Sequence, residues 1–269
     1  MDTIKAVVFD WAGTMVDFGC QAPVEALIAA FAAEGVPLAP GAARRDMGRA
    51  KRDHVHALLA YPEVARAWAE ARGAAPNEED GERIYRALEP LMAEAAARFS
   101  VLIPGAAAVA SALAARGVRI GSGTGYTREM MAEILPRASA QGYAPEVLVC
   151  AGETPSGRPS PLMLWQALVA LDAWPARLCV KVDDAEVGIE EGRAAGCWTI
   201  GVAASGNGVG LGLEAFEALE EAERRARVNR AGRALKSAGA HLVINTVAEL
   251  PIALAEIEAR LAAGLNPCA

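Results

Sequence analysis

Four polar segments follow apolar runs in this chain, and they carry side chains suited to phosphoryl transfer. The first is DWAGT at residues 10–14, which begins with Asp10 and follows the run AVVF. A carboxylate at the end of a buried strand can attack phosphorus, ligate a metal ion, or do both. An aspartate at such a place can also simply cap a turn or a helix N-terminus. The residue types alone leave both interpretations open.

The second segment, IGSGTGYT at residues 120–127, combines glycines with hydroxyl side chains after an apolar run. Small residues let backbone N–H groups approach a phosphate closely, and the start of a following helix adds positive potential. The Thr124 hydroxyl would contribute to such a phosphate site. An ordinary strand-to-helix turn has the same composition, so this segment is ambiguous by itself.

A basic side chain and a pair of acids complete the set. Arg158, in the segment SGRP, could hold a phosphate oxygen and the Asp10 carboxylate together, although an arginine in such a loop can also be merely exposed. Asp183 and Asp184 end the apolar run VKV. Two adjacent carboxylates repel each other unless a cation neutralises them, and Mg²⁺ prefers such oxygen ligands. Asp184 is therefore the candidate metal ligand of this segment.

A lysine within a basic stretch offers a different chemistry. The segment MGRAKRDH at residues 47–54 contains Lys51, and the arginines nearby are Arg44, Arg45, Arg49 and Arg52. Neighbouring positive charge and partial burial both lower the pKa of a lysine, which produces a neutral and nucleophilic amine. A solvated basic helix face is the alternative interpretation of the same composition.

The alternation of strand-length and helix-length segments predicts the fold. Apolar runs of strand length lie at residues 4–9, 118–121, 147–149, 178–182, 198–202 and 241–244. Helical patterns between them lie at residues 104–116, 128–141, 161–171 and 186–195. Strands that alternate with helices form parallel sheets with right-handed crossovers. We therefore expect an α/β fold built on a doubly wound parallel sheet.

Residues 20–100 break this alternation. They contain no convincing strand, and helical patterns lie at residues 23–34, 51–60, 63–72 and 79–99. An insertion after the first strand would lie above the carboxyl end of that strand, where its closure excludes water and adds further groups to the site. We predict an α-helical cap domain at residues 20–100, inserted into a core domain formed by residues 1–19 and 101–269.

Composition and charge narrow the class of protein. The 269 residues are 53% hydrophobic and 5% aromatic, with a net charge of −7. This balance is typical of a globular, helix-rich protein and disfavours nonspecific nucleic-acid binding. Residues 213–237 place acids before bases, which suits a solvated helix better than a nucleic-acid surface.

The same sequence argues against export and membrane insertion. No uncharged apolar stretch reaches the roughly 18 residues of a membrane span, and we expect no signal peptide. The cysteines are scattered and lack CxxC spacing: Cys20, Cys150, Cys179, Cys197 and Cys268. We therefore expect reduced thiols, no zinc site and a cytoplasmic location.

Taken in this order and spacing, the four segments resemble the haloacid dehalogenase (HAD) superfamily, and the resemblance covers the whole chain. It implies an HAD-like Rossmannoid core in which the first acid is the nucleophile and the last holds Mg²⁺. Two positions depart from the usual pattern of its phosphatases. Ala12 stands where they have an acid that protonates the leaving group, and Gly188 stands where an acid often follows Asp184 by four residues.

A closer resemblance accounts for the missing acid. The segments DWAGT, MGxxKxDH, TGYTREM and GRP, with a late GAH, are similar to those of the phosphonoacetaldehyde hydrolase (phosphonatase) family. Membership would imply hydrolysis of the P–C bond of phosphonoacetaldehyde to acetaldehyde and phosphate. The reaction would proceed through a Schiff base on Lys51 and an aspartyl phosphate on Asp10. It would also imply a small-molecule phosphonate substrate and a homodimer formed through the cap domain.

The residue roles implied by this family are carried over to the matching positions. The implied catalytic residues are Asp10, Lys51 and His54, the last as a proton shuttle because its unperturbed pKa is near neutrality. The implied ligands of the substrate and its phosphoryl group are Thr124, Gly125, Tyr126, Arg158, Met47 and Cys20. The implied ligands of Mg²⁺ are Asp10, the Ala12 carbonyl and Asp184.

Other functions compete with this one. The first alternative is a Mg²⁺-dependent HAD phosphatase or phosphomutase acting on a small phosphorylated metabolite, but both chemistries use an acid where this chain has Ala12. A dehalogenase needs neither a Mg²⁺ site nor a cap lysine. A catalytically silent binding or regulatory protein would not need the intact set Asp10, Thr124, Arg158 and Asp184.

Overall fold

A parallel sheet forms the centre of the molecule. The computed structural model describes residues 3–267, and within them the sheet has six strands. The strands are Ala6–Phe9 (β1), Arg119–Thr124 (β2), Val147–Cys150 (β3), Cys179–Asp183 (β4), Trp198–Val202 (β5) and Leu242–Ile244 (β6). Their order is β3-β2-β1-β4-β5-β6, and every pairing between neighbours is parallel. The predicted doubly wound α/β fold is confirmed.

The strand order reverses at β1. From β1 the chain builds β2 and β3 on one side and then crosses over to build β4, β5 and β6 on the other. In open α/β sheets, ligands bind at the carboxyl ends of strands where the order reverses. Phe9 pairs with Ser122 of β2 and with Val182 of β4. The next residue, Asp10, therefore lies at this edge between the ends of two neighbouring strands.

Residues 20–100, here called the helical insertion, connect β1 to the rest of the fold. Their helices are Gln21–Ala33 (α1), Pro40–Ala43 (α2), Lys51–Ala60 (α3), Pro62–Arg72 (α4) and Glu78–Phe99 (α5). Helix α5 packs against both α1 and α3, and these helices bury Phe31, Leu58 and Leu88. Helix α5 begins with a capping box, since Asn77 and Asp80 each accept a hydrogen bond from the other's backbone N–H.

Helices cover both faces of the sheet. Those of the core are Ala106–Ala115 (α6), Arg128–Met131 (α7), Ile134–Ala140 (α8), Leu162–Ala170 (α9), Glu186–Ala194 (α10), Leu213–Glu217 (α11), Glu221–Ser237 (α12) and Leu250–Ala262 (α13). Ala6 and Val8 face the side covered by α9. Val7 and Phe9 face the opposite side, where α6 and α13 pack. Because both faces are buried, polar side chains are accommodated at the strand ends.

Two predicted helices are interrupted. Residues 128–141 form α7 and α8 rather than one helix, because Pro136 lacks an N–H and its ring collides with the carbonyl one turn earlier, at Ala132. Residues 213–237 divide into α11 and α12, with Glu220 in an extended conformation before α12 begins. On α12 the acid-before-base pattern forms surface ion pairs four residues apart, Glu221 with Arg225 and Glu223 with Arg227.

Strand β2 is longer than predicted. The prediction ended it at residue 121, whereas the structure continues it through Ser122, Gly123 and Thr124. This end of β2 pairs with β3 as far as Thr124 and Cys150, and that pairing overrides the low strand propensity of glycine. The phosphate-site candidate Thr124 therefore lies on a paired strand rather than in a loose turn.

Cysteine environments agree with a reduced protein. Within the described residues, Cys20, Cys150, Cys179 and Cys197 are buried and form no disulfide, and Cys268 lies outside those residues. Among the helices that the structure describes, none has the length and apolar content needed to cross a bilayer.

Candidate active site

The carboxyl edge of the sheet and the helical insertion together enclose a small cavity. Its empty space, together with the solvent-filled opening, amounts to about 300 Å³. Its lining comes from both parts of the chain: Asp10, Ala12, Cys20, Pro23, Met47, Gly48, Lys51, Thr124, Gly125, Tyr126, Asp184 and Ala185. Nine of these are residues that the sequence had already singled out. Arg158 and His54 are not part of the lining.

Arg158 lies directly behind Asp10. Its Nη1 donates a hydrogen bond to Asp10 Oδ1 at 2.7 Å, and its Nη2 donates to the Gly123 carbonyl at 2.7 Å. The Arg158 side chain is buried, so it is not an exposed loop arginine. The guanidinium thus holds the Asp10 carboxylate in place and brings positive charge to the cavity floor.

Two charged residues that the sequence analysis missed support Arg158 from beneath. Arg158 Nε lies 3.0 Å from Glu191 Oε2, and Lys181 Nζ lies 3.1 Å from Glu191 Oε2 and 3.1 Å from Asp183 Oδ2. The available signal was a lysine inside the run VKV. A strand covered on both faces accommodates a charge only when that charge is paired.

Three carboxylates meet at the strand ends. Asp10, Asp183 and Asp184 each place an oxygen within 4.8 Å of the other two. Burial raises the pKa of Asp10 to about 6, and repulsion from Asp183 adds to this effect. The positive charge of Arg158 opposes it. Burial and the charges of Asp10 and Asp183 raise the pKa of Asp184 well above its usual range. A cation between these groups would favour their ionised forms and reverse both shifts.

The buried charges in this cluster fit a divalent cation. Four buried carboxylates (Asp10, Asp183, Asp184 and Glu191) face three buried basic side chains, Arg158, Lys181 and Lys51. When all are ionised, one negative charge is in excess, or two when the Lys51 amine is neutral. Oxygen ligands of this kind select hard cations. The carboxylate cluster also includes Asp183, which is not among the expected metal ligands and whose Oδ1 accepts a hydrogen bond from the Ala185 N–H at 3.0 Å.

Gly188 is explained by the position of Asp183. A Cβ added to Gly188 would lie 1.9 Å from Asp183 Oδ2, which is closer than any real contact. The acid that many relatives of the superfamily have at this position therefore has no space here. Asp183 itself supplies a carboxylate in the same region.

Lys51 closes the cavity from the side of the insertion. The residue is only 2% exposed, and its Nζ lies 3.8 Å from Met47 Sδ and 5.4 Å from the centre of the Tyr126 ring. Burial lowers the pKa of Lys51 to about 8, and Arg158 adds to that effect, while Cys20, Asp10 and Asp184 oppose it. About a tenth of the amine is therefore neutral at pH 7, against well under a thousandth for an ordinary lysine.

The arginines adjacent in sequence are not the cause of this shift, contrary to expectation. Each of three forms an ion pair away from the cavity: Arg45 with Glu63, Arg49 with Asp46 and Arg52 with Glu82. The fourth, Arg44, hydrogen-bonds to the core. The pKa of Lys51 is lowered by its removal from water and by Arg158, which is distant in sequence.

His54 does not have the near-neutral pKa on which its expected shuttle role was based. It is fully buried within the insertion, and neither ring nitrogen has a hydrogen-bond partner of ordinary geometry. Burial, followed by the charge of Lys51, lowers the pKa of His54 to about 3. The imidazole is therefore neutral at neutral pH, one helical turn from the lysine.

Comparison with known proteins places this cavity in a family. Residues 4–196 match the family model of haloacid dehalogenase-like hydrolases. A curated phosphonoacetaldehyde hydrolase of Paraburkholderia phytofirmans is 50% identical over 267 residues, which cover 99% of this chain and 100% of that protein. The chain belongs to the phosphonoacetaldehyde hydrolase family.

Other members extend the match. The phosphonoacetaldehyde hydrolase of Hahella chejuensis is 43% identical, with 98% of this chain and 90% of that protein covered. The crystal structure of a phosphonoacetaldehyde hydrolase-like protein from Oleispira antarctica superposes with a TM-score of 0.97 at 41% identity, covering 98% of this chain and 96% of that one. The resemblance to the phosphonoacetaldehyde hydrolase family is confirmed, and the chain is a hydrolase with an HAD-like fold.

Replacing Gly188 by alanine should displace Asp183. The new Cβ would occupy the space of the Asp183 carboxylate, so we expect a loss of folding stability of about 1–3 kcal/mol and weaker divalent-metal binding. Gly232→Ala is the matched helical control, because its Cβ would lie at an ordinary 3.4 Å from Val243. Urea denaturation and metal titration would measure both. A Gly188→Ala protein as stable as Gly232→Ala would contradict the steric argument.

Replacing Lys51 by methionine should stabilise the protein at neutral pH. The folded-state pKa of about 8 lies below the ordinary value of 10.5, so burying the charged amine costs about 3 kcal/mol at any pH below 8. That cost declines between pH 8 and pH 10.5 as the folded protein releases the proton first. The stability gain of Lys51→Met should therefore shrink in this range when urea denaturation is repeated at pH 7 and pH 9.5.

The control for this measurement is Arg52→Met. Arg52 is the exposed neighbour of Lys51 and pairs with Glu82 at 2.6 Å, so its loss should change stability little and equally at the two pH values. A Lys51→Met protein that is less stable than the wild type at pH 7 would show that burying the charged amine does not destabilise the fold.

Proposed function

We propose that this protein hydrolyses the P–C bond of phosphonoacetaldehyde to give acetaldehyde and phosphate. The observation that carries the proposal is the shared cavity of a buried amine, Lys51, and a carboxylate, Asp10. The name borne by relatives of up to 50% identity supports the same substrate.

The need for an amine follows from the bond to be broken. Cleavage of a P–C bond leaves an electron pair on carbon, and an unassisted carbanion is a very poor leaving group. In the proposed first step the neutral Lys51 amine adds to the aldehyde carbon and water is lost, which forms a protonated imine. The imine accepts the electron pair when the bond breaks, so the two-carbon fragment departs as an enamine.

Asp10 is the proposed nucleophile toward phosphorus. Its carboxylate attacks in line as the P–C bond breaks, and an aspartyl phosphate forms. Arg158 and the Thr124 hydroxyl, with the N–H groups of Gly125 and Tyr126, stabilise the phosphoryl oxygens. Arg158 is already held for this role by its contacts with Asp10 and the Gly123 carbonyl.

The proposed cofactor is Mg²⁺, held by Asp10, the Ala12 carbonyl and Asp184, with Asp183 in the same carboxylate cluster. When bound, it would supply positive charge to the phosphoryl oxygens and favour the ionised form of Asp10. Cys20 and Thr14 donate hydrogen bonds to Asp184, at 3.2 Å in each case, and thereby orient that carboxylate.

Two hydrolytic steps complete the cycle. The enamine takes a proton at carbon, and water then releases acetaldehyde and restores the Lys51 amine. A second water cleaves the aspartyl phosphate and restores Asp10. His54 is the proposed group that receives and returns a proton during imine formation. Its imidazole is neutral and therefore free to accept a proton, although its pKa of about 3 makes it a weak base.

Position 12 separates this reaction from its nearest competitor. A phosphatase or phosphomutase must protonate an alkoxide leaving group, and the acid that does so would stand at Ala12. An enamine needs no such acid. The alanine at this position in the cavity wall therefore supports P–C cleavage over phosphate-ester chemistry.

Three further parts of the proposal concern the whole molecule. We propose that the helical insertion is a cap domain with boundaries 20–100, on a core of residues 1–19 and 101–269. The mutual packing of its helices supports this division. We also propose a homodimer formed through the cap domain, and a cytoplasmic location, which the four buried reduced cysteines support.

Borohydride trapping tests the central step. Sodium borohydride added with phosphonoacetaldehyde should reduce the imine, inactivate the enzyme and leave a two-carbon adduct on the peptide that contains Lys51, located by mass spectrometry. Lys51→Arg should retain the fold and phosphate binding but lose at least 10³-fold in kcat, because a guanidinium is not a nucleophile near neutral pH.

Phosphate release from p-nitrophenyl phosphate is the companion assay. The proposal predicts fast release from phosphonoacetaldehyde and little or none from the ester, in the presence of Mg²⁺. Fast release from the ester, unaffected by Lys51→Arg, would instead identify a phosphatase. An unmodified Lys51 peptide after borohydride treatment would exclude the Schiff base.

A further inference from the structure

The cavity is too closed for a substrate to enter without movement. Asp10 is 7% exposed and Lys51 is 2% exposed, although both must touch the substrate. Lys51 lies on the helical insertion and Asp10 on the core, so the cavity opens when the insertion moves away from the sheet. The contacts that bridge the two parts therefore decide when the site is assembled.

Backbone contacts make part of this bridge. A Cβ on Gly48 would lie 2.8 Å from Val187 Cγ2, and a Cβ on Gly125 would lie 2.4 Å from the Arg49 carbonyl. The segment that precedes Lys51 thus lies directly against the loop that follows β2 and against the start of α10. These contacts are steric and supply little directional attraction.

Arg44 makes the largest set of hydrogen bonds in the bridge, beside single ones from Gln21 to the Gly210 carbonyl and from Arg158 to the Gly48 carbonyl. Arg44 Nη1 donates to the Gly19 carbonyl at 2.8 Å and to Asn207 Oδ1 at 3.2 Å, and its Nη2 donates to the Gly210 carbonyl at 2.8 Å. Asn207 returns a hydrogen bond from Nδ2 to the Arg44 carbonyl at 3.0 Å. Arg44 belongs to the insertion, whereas Asn207 and Gly210 lie in the loop after β5.

The same loop reaches the carboxylate cluster. The Asn207 backbone N–H donates to Asp184 Oδ2 at 2.7 Å, and a Cβ on Gly206 would lie 2.6 Å from Asp184 Cβ. Asn207 therefore contacts Arg44 through its side chain and Asp184 through its backbone. If Arg44 moved away from the core, the Asn207 side chain would lose its two hydrogen bonds to Arg44, and this loop would be less firmly held.

We propose that Arg44 is a positioning residue which, through Asn207, couples closure of the helical insertion to the orientation of Asp184. When the insertion closes and brings Lys51 to the cavity, the contact between Arg44 and Asn207 also orients the Asp184 carboxylate. The proposal rests on the proposed function only for the roles of Lys51 and Asp184. The coupling itself concerns the protein without substrate.

Cys20 provides a readout of closure that does not depend on activity. It lines the cavity at the junction of insertion and core, is 1% exposed, and donates a hydrogen bond to Asp184. Cys150 and Cys179 lie buried in β3 and β4, so they react only when the core unfolds. Alkylation by iodoacetamide, measured for each cysteine by peptide mass spectrometry, separates opening of the insertion from global unfolding.

The variants are Arg44→Lys and Asn207→Ala, with Arg45→Ala as control. A lysine keeps the charge of Arg44, but one ammonium cannot reach Gly19, Gly210 and Asn207 together. Asn207→Ala removes only the side-chain contacts and keeps the backbone N–H to Asp184. Arg45 is adjacent in sequence but pairs with Glu63 inside the insertion.

In metal-free protein, we expect Cys20 alkylation to be at least tenfold faster in Arg44→Lys and in Asn207→Ala than in the control. Cys150 and Cys179 should react at unchanged rates. Mg²⁺ binding by calorimetry should be at least tenfold weaker in both variants. The double variant should be no more affected than the stronger single one, because both changes break the same bridge.

Several outcomes would overturn the proposal. Cys20 as protected in both variants as in the control would remove the role in closure. Acceleration of all three cysteines together would mean global destabilisation. If Arg44→Lys changes Cys20 alkylation and Mg²⁺ binding while Asn207→Ala changes neither, the coupling does not run through Asn207. Since no substrate is present in these measurements, a failed borohydride trap would reject the proposed function and leave this test unaffected.

Discussion

Lys51 and the carboxylates of Asp10 and Asp184 share a cavity from which water is largely excluded. Charges interact more strongly in such a space than in water, and each charge is more costly to keep there. The lysine responds by a lowered pKa and the acids by raised ones. Both shifts have the same main cause, which is burial. The shift of Lys51 favours the neutral, nucleophilic amine, whereas the acids need a nearby positive charge to regain the ionised form that their proposed roles require.

The surrounding structure maintains this balance. Arg158 pairs with Asp10 on the cavity side and with Glu191 beneath, and Lys181 pairs with the same glutamate. This arrangement leaves one negative charge in excess, or two when the Lys51 amine is neutral, which a cation would offset. The electrostatics of the site therefore depend on the sheet and the insertion together. Movement of the insertion away from the sheet would return Lys51 to water and to an ordinary lysine pKa.

The sequence predicted the parts of this site that depend on local pattern. Apolar runs located all six strands of the sheet, and the acids and hydroxyls that follow them located the cavity residues on the core. Lys51 was predicted as the first residue of a helix and lies there. Resemblance to a family, rather than spacing, connected that lysine to Asp10, because no periodicity relates residues that meet only through the tertiary fold.

What the sequence did not reveal depends on contacts between distant segments. Glu191 and Lys181 matter because α10 packs on β4, and Arg44 matters because the loop after β5 lies beside the insertion. The requirement for glycine at position 188 follows from the Asp183 side chain. The break between α7 and α8 is different, since Pro136 was visible in the sequence and its effect on the preceding turn was overlooked.

The central claim is that Lys51 is held in a site where its amine loses a proton near neutral pH. NMR titration of the lysine side chains tests it directly, because the chain has only four lysines, at positions 5, 51, 181 and 236. The signal absent from Lys51→Arg identifies Lys51. The structure predicts a midpoint near pH 8 for that signal. A midpoint at or above 10.5, the value of an ordinary lysine, would contradict the account.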